Sequence, residues 1–143
     1  MKASAHRLTR APVRIPASSL PAPVVTYLVA SRTWLLEQAY AYRDGPHRIV
    51  VPAGFEFDLA SVPRPLWSLI APFELSIAAP LLHDFLYRYR GRPPAGSVVP
   101  PRAYSRAQTD RLFERIIEEE GVPAWRRWLA YRSVRLLAWH DWR

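Results

Sequence analysis

Proline decides where this chain can be regular. Fifteen of its 143 residues are proline, and each removes a backbone donor, fixes φ and turns its predecessor away from helix. Pro12, Pro16, Pro21 and Pro23 fall within the first thirty residues, a Pro-, Ala-, Ser- and Arg-rich stretch where neither a continuous helix nor a central strand fits. Pro63 and Pro65 stiffen a loop, and residues 92–101 form a Pro-rich connector. Pro123 stands where a helix tolerates it, at its first position. The expected division is a Pro-rich N-terminal arm, residues 1–30, and a single domain, residues 31–143. One short strand is expected in the arm near Val24–Val29.

Residues 31–57 carry strand patterns. Thr33-Trp34-Leu35-Leu36 leads to Tyr40-Ala41-Tyr42, Asp44-Gly45 supplies a turn, and His47 to Val51 reads as the return strand. Pro52-Ala53-Gly54 is a second turn, before Phe55-Glu56-Phe57 alternates with period two. Asp58 opens a loop to Pro65, and Leu66–Ile70 reads as a short helical turn.

Helical spacing takes over from residue 75. Leu75, Ala78, Ala79, Leu82 and Leu86 recur on one face of a helix expected over 75–90, kinked at Pro80 or starting there, and ended by Gly91. Ser105 and Gln108 have capping-box spacing for a second helix, whose apolar stripe is Leu112, Phe113, Ile116 and Ile117. In a third helix, Trp125, Trp128, Leu129, Leu136 and Trp139 are expected to mark the buried side. The fold class is therefore α+β: a small antiparallel sheet or hairpin followed by a bundle of about three helices.

Half the residues are hydrophobic, enough for a real core, and there are no cysteines. Disulfides, zinc-thiolate sites and cysteine nucleophiles are thereby excluded. The formal net charge of +8 admits an anionic membrane or acidic protein surface. Nucleic acid is not the expected partner, because the arginines are scattered and replace lysine everywhere except Lys2. The longest apolar stretch near the N-terminus, Val24 to Ala30, is too short to span a bilayer. Prolines interrupt the place where a secretory signal would need its apolar core.

His83-Asp84-Phe85-Leu86-Tyr87 is the sharpest chemical feature. His83 and Tyr87, four apart, share a helix face, while Asp84 is rotated about 100° away. Asp110 lies on the apolar stripe of the second helix, three residues before Phe113. An inward carboxylate must be paired or hydrogen-bonded, and His83 is its natural partner. A histidine donating one ring N–H to a carboxylate keeps its other nitrogen as a base. Tyr87 can donate to the same carboxylate, and the result is a Tyr–Asp–His network. Asp84 has two uses open to it. One is to ligate a hard cation such as calcium, with Asp58 and the carbonyls of residues 58–63. The other is to pair with an arginine such as Arg64 or Arg88. The network as a whole also has a second use, since buried polar networks fix helix register without doing chemistry. Catalysis would require an opening beside His83. Ser61 lacks a nucleophile-elbow setting.

Three ordered motifs then resemble one family. Val51-Pro52-Ala53-Gly54-Phe55 with Asp58-Leu59-Ala60-Ser61-Val62-Pro63-Arg64, the His83–Tyr87 run, and Ser105-Arg106-Ala107-Gln108-Thr109-Asp110 through Phe113 resemble the signatures of the DUF1353 family. That family is common in bacteriophages and prophages and has no established function. The resemblance implies virion proteins as partners, and a location in the host cytoplasm during assembly or in the virion. The His83-Asp84-x-x-Tyr87 run with Asp110 is also similar to the core of secreted phospholipases A2. That similarity implies His83 as the water-activating base, Asp110 as its orienting group with Tyr87 in support, and Asp84 as a calcium ligand. A lipid or anionic membrane surface would then be the partner. The alternative is a non-enzymatic virion or assembly component at a tail, neck or baseplate, in which the network is structural.

Overall fold

A computed structural model of the chain describes residues 20–58, 77–137 and 142. The chain order is β1 (Val25–Leu28), β2 (Thr33–Leu36), β3 (Tyr40–Asp44), β4 (His47–Val51), β5 (Glu56–Phe57), α1 (Ala78–Arg88), β6 (Val98–Val99), α2 (Arg106–Glu119) and α3 (Ala124–Leu137). The expected α+β class is what the chain adopts, with five strands before the helices and one short strand, β6, between α1 and α2.

The strands form two three-stranded antiparallel sheets, ordered β1-β2-β5 and β3-β4-β6. In the first, Val25 faces Leu36 and Trp34 faces Phe57. In the second, a two-residue loop joins β3 to β4, with Asp44 opposite His47. Gly45 sits in that loop at φ 57, the left-handed region that glycine enters without penalty. Alternation puts Tyr40, Tyr42 and Asp44 on the inward face of β3.

The sixth strand lies in the connector, which the proline content marks only as irregular. Val98 and Val99 pair with Ile49 and Arg48, and His47 Nδ1 lies 2.7 Å from the Pro100 carbonyl oxygen. Short strand segments between prolines can pair where each proline falls outside the ladder. The described part of the arm also packs on the sheets. Glu37 N–H donates to the Val24 carbonyl (2.8 Å), and the Tyr40 hydroxyl donates to the Pro21 carbonyl (2.9 Å).

Helix α1 is the centre of the molecule. Ala78, Ala79, Leu81, Leu82, His83, Phe85, Leu86 and Tyr87 are all buried, and among its non-proline residues only Asp84 and Arg88 turn outward. A helix apolar nearly all round belongs between layers. It packs on α2 on one side and against β5 on another. Pro80 is its third residue, so the missing N–H is one that a first turn leaves unpaired anyway. The helix therefore starts two residues before that proline. It ends in a Schellman pattern, with Gly91 N–H donating to the Leu86 carbonyl (2.8 Å) and Arg90 N–H to that of Tyr87 (3.1 Å). Arg90 takes the left-handed position at φ 50. Gly91 is required for a different reason. A Cβ there would stand 1.7 Å from the Tyr104 carbonyl oxygen, because Tyr104 N–H bonds the Gly91 carbonyl at 2.8 Å.

Helix α2 opens with the expected capping box. Gln108 N–H donates to Ser105 Oγ (3.1 Å), and Ser105 N–H to Gln108 Oε1 (2.9 Å). Its stripe of Leu112, Phe113, Ile116 and Ile117 is buried.

Helix α3 departs from expectation. Trp125, Trp128 and Leu136 are exposed, not buried, and Leu129 is half-buried. The helix buries Ala130 and Val134, and packs on α2 through that face. Periodicity finds two apolar faces on this helix, and residue size selects the wrong one. The small residues allow close approach, so they form the seam. Trp139, Leu75 and the Leu66–Ile70 segment lie outside the described residues. No helix among the described residues is long and apolar enough to cross a membrane.

Candidate functional site

The site forms where α1 meets α2. His83 and Tyr87 stack along one face of α1, with ring centroids 4.1 Å apart. The Phe113 ring closes on the other side of His83 at 5.3 Å. Asp110 enters from α2, its side chain fully buried. His83 Nε2 lies 2.9 Å from Asp110 Oδ1, and the Tyr87 hydroxyl donates to the same oxygen at 2.5 Å. The three residues singled out from the sequence are thus brought together in the arrangement expected of them.

A fourth group completes the carboxylate. Arg135 Nη1, from the last turn of α3, donates to Asp110 Oδ2 at 2.9 Å. Arg135 is itself placed by Arg106, whose Nη2 donates to the carbonyls of Val134 (3.2 Å) and Arg135 (2.5 Å). Sequence reasoning missed both arginines. Arg106 stands inside the Ser105–Phe113 motif but was given no role there, no local pattern marks Arg135, and only the docking of α3 on α2 brings the two here.

Two opposing effects act on Asp110. Burial raises its pKa, but hydrogen bonds from His83, Tyr87 and Arg135 outweigh burial and hold it below the usual carboxylate value. Tyr87 moves the opposite way. Burial comes first, then donation to Asp110 and the charge of that carboxylate, and together they push the phenol well above its ordinary value. The site therefore holds an ionised carboxylate and a neutral phenol.

That carboxylate only accepts, so His83 donates through Nε2–H. In neutral His83, Nδ1 is then a lone-pair acceptor. It is buried and has no hydrogen-bond partner among the described residues. The residue as a whole is 1% exposed. An orphaned polar atom of this kind costs roughly 1–3 kcal/mol, and such atoms concentrate where a ligand, a water or chemistry is to be accommodated.

Asp84 points elsewhere. One of its oxygens lies 3.6 Å from Arg88 Nη2, an i,i+4 pair on the outer face of α1. Of the two arginines considered for it, Arg88 pairs with it, and Arg64 lies outside the described residues. Asp58 is exposed at the end of β5, and residues 59–63 of its loop lie outside the described residues. Among the described residues, no three His, Asp or Glu side chains gather closely enough to hold a metal ion.

Fold and site together define a class: an α+β chain with a His–Asp–Tyr network clamped between consecutive helices. The chain belongs to the family described as "Protein of unknown function (DUF1353)", whose model matches residues 34–134, more than two thirds of its length. No curated protein and no solved structure matches it. The likeness to phospholipases A2 therefore rests on His83, Asp84, Tyr87 and Asp110 alone.

Proposed function

We propose that this is a phage-associated protein with a hydrolytic site of the phospholipase A2 type, acting on lipid or other esters. The observation that carries the reading is His83 Nδ1, a buried ring nitrogen without a partner among the described residues, on a ring whose other nitrogen is held by Asp110. In this reaction Nδ1 takes a proton from water as the water oxygen attacks the ester carbonyl. The imidazolium, stabilised by Asp110, then returns that proton to the leaving alkoxide. Tyr87 and Arg135 keep the carboxylate ionised and fixed. Asp84 and Asp58 are the proposed cation ligands. For calcium to bind there, Asp84 must exchange its Arg88 pair for the metal. The location that follows is the host cytoplasm during assembly, or the virion.

The test is hydrolysis of a fluorogenic phospholipid and short-chain ester panel, with calcium or with chelator. Wild type, His83→Ala and Asp84→Asn are compared after matching by circular dichroism. The expected result is turnover that falls about 10²- to 10⁴-fold in His83→Ala, and that Asp84→Asn makes insensitive to calcium. A folded wild type inactive on the whole panel, or a His83→Ala protein as active as wild type, would overturn the reading.

One observation favours a second reading. His83 is 1% exposed, so the opening beside it that catalysis requires is not seen among the described residues, and Asp110 already has a full cationic partner in Arg135. In a non-enzymatic virion or assembly component at a tail, neck or baseplate, the same network would clamp α1, α2 and α3 in register. His83→Ala would then lower stability and change no activity.

A further inference from the structure

Helix α3 presents a face that its own packing does not use. Ala130 and Val134 define its buried side. Projected down the helix at 100° per residue, Trp125, Trp128, Arg132 and Leu136 fall within about 80° of one another on the opposite side. Trp125 is 57% exposed, Trp128 56% and Leu136 67%. Large apolar side chains clustered in one exposed stripe mark an interaction surface.

The charges on this helix say what kind. Residues 124–137 contain four arginines and no acidic residue. Arg127 is 3.7 Å from Glu118, and Arg135 is paired with Asp110. Arg132 is exposed on the stripe itself, its guanidinium 5.3 Å from the Trp128 ring centre. Indole rings beside a guanidinium group on a helix that lies flat suit the boundary between headgroups and acyl chains. Anionic headgroups then meet Arg132, which stands among the exposed indoles.

Two other occupants fit less well. A second copy meeting this face about a two-fold axis would bring like charges together across the contact. A single-stranded nucleic acid would stack on the tryptophans, but would leave Leu136, the most exposed of these side chains, against a phosphate backbone. We propose that the Trp125–Trp128–Arg132–Leu136 face of α3 docks the protein on anionic lipid bilayers. This surface stands apart from the His83 site and does not depend on the hydrolase reading.

The experiment is sedimentation of the full chain with vesicles of phosphatidylcholine alone, or of phosphatidylcholine and phosphatidylglycerol in equal parts. The wild type is expected to pellet with the anionic vesicles and far less with the neutral ones. Binding should weaken with salt, as screening shortens the reach of the arginines to ~8 Å and less. Trp125→Ala/Trp128→Ala should lower partitioning about tenfold or more, and Arg132→Glu by a smaller factor. His83→Ala should bind like the wild type, so that docking and hydrolysis fail separately. Absence of binding to anionic vesicles, or binding that the double variant retains, would overturn the proposal. So would a dimer seen by light scattering that the double variant abolishes, since the face would then belong to a second copy.

Discussion

Two aspartates are buried among the described residues, and they are buried differently. Asp44 ends β3 and is 5% exposed, whereas Asp110 is 0% exposed between helices. Asp44 accepts from the Tyr104 hydroxyl (2.7 Å), from Arg102 Nη1 (3.2 Å) and from Arg115. The side chains of both arginines are partly in water. Asp110 also accepts from a tyrosine and an arginine, but its third partner is the fully buried ring of His83. The Asp44 cluster ties the β3–β4 hairpin to the connector and to α2. The Asp110 cluster ties α1, α2 and α3, and alone of the two leaves a buried ring nitrogen unpartnered. A carboxylate wrapped in donors is therefore no sign of chemistry by itself. What separates the two clusters is the group whose second end has nothing to bond.

Burial depth predicts the largest contrast. Removing Asp110 strands the fully buried His83 ring and the Tyr87 hydroxyl, although Arg135 is partly in water, so Asp110→Ala should lose about 3–5 kcal/mol of unfolding free energy. Asp44→Ala leaves arginines that water can reach, and should lose about 1–3 kcal/mol. Urea unfolding of the two variants checks the order, and a larger loss in Asp44→Ala would break the comparison.

Gly91→Ala acts first on the Asp44 side, although its Cβ would also come 3.1 Å from the Trp142 ring that packs edge-on against Tyr87. Its new Cβ collides with the Tyr104 carbonyl, so the backbone that presents Tyr104 to Asp44 has to move. A loss of about 2 kcal/mol is expected from the collision and from forcing a side chain into positive φ. Hydrogen exchange should speed up at Tyr104 N–H while α2 around Asp110 stays protected.

The smallest effect is on acid stability. Asp110 has a folded-state pKa below its unfolded value. Its contribution is thus fully present above the unfolded value, about 3.9, and is lost as pH falls through the lower folded one. Asp110→Asn should be less stable at neutral pH and should show a shallower loss of stability on acidification below about pH 4. An acid limb as steep as the wild type's would mean that other carboxylates dominate it.

Much of this was readable from residue order. Proline positions set the division into strands and helices, Ser105-x-x-Gln108 set the start of α2, and Gly91 announced the end of α1. His83, Tyr87 and Asp110 were found because a polar residue on an apolar stripe has to be paired, and helical spacing says which residues share a face. These are local rules, and they act within a turn or two of chain. The rest depended on distance in space. Val98 and Val99 became a strand only because β4 offered an open edge. Asp44, read as a turn residue, became a buried anchor only because Tyr104, Arg102 and Arg115 arrive from more than fifty residues away. Arg135 joined Asp110 only because α3 docks on α2 through Ala130 and Val134. The same docking turned Trp125 and Trp128 outward. Periodicity gives a helix its faces, but the tertiary contact decides which face is covered, because close packing rewards the fit of two surfaces and not the size of the residues on one.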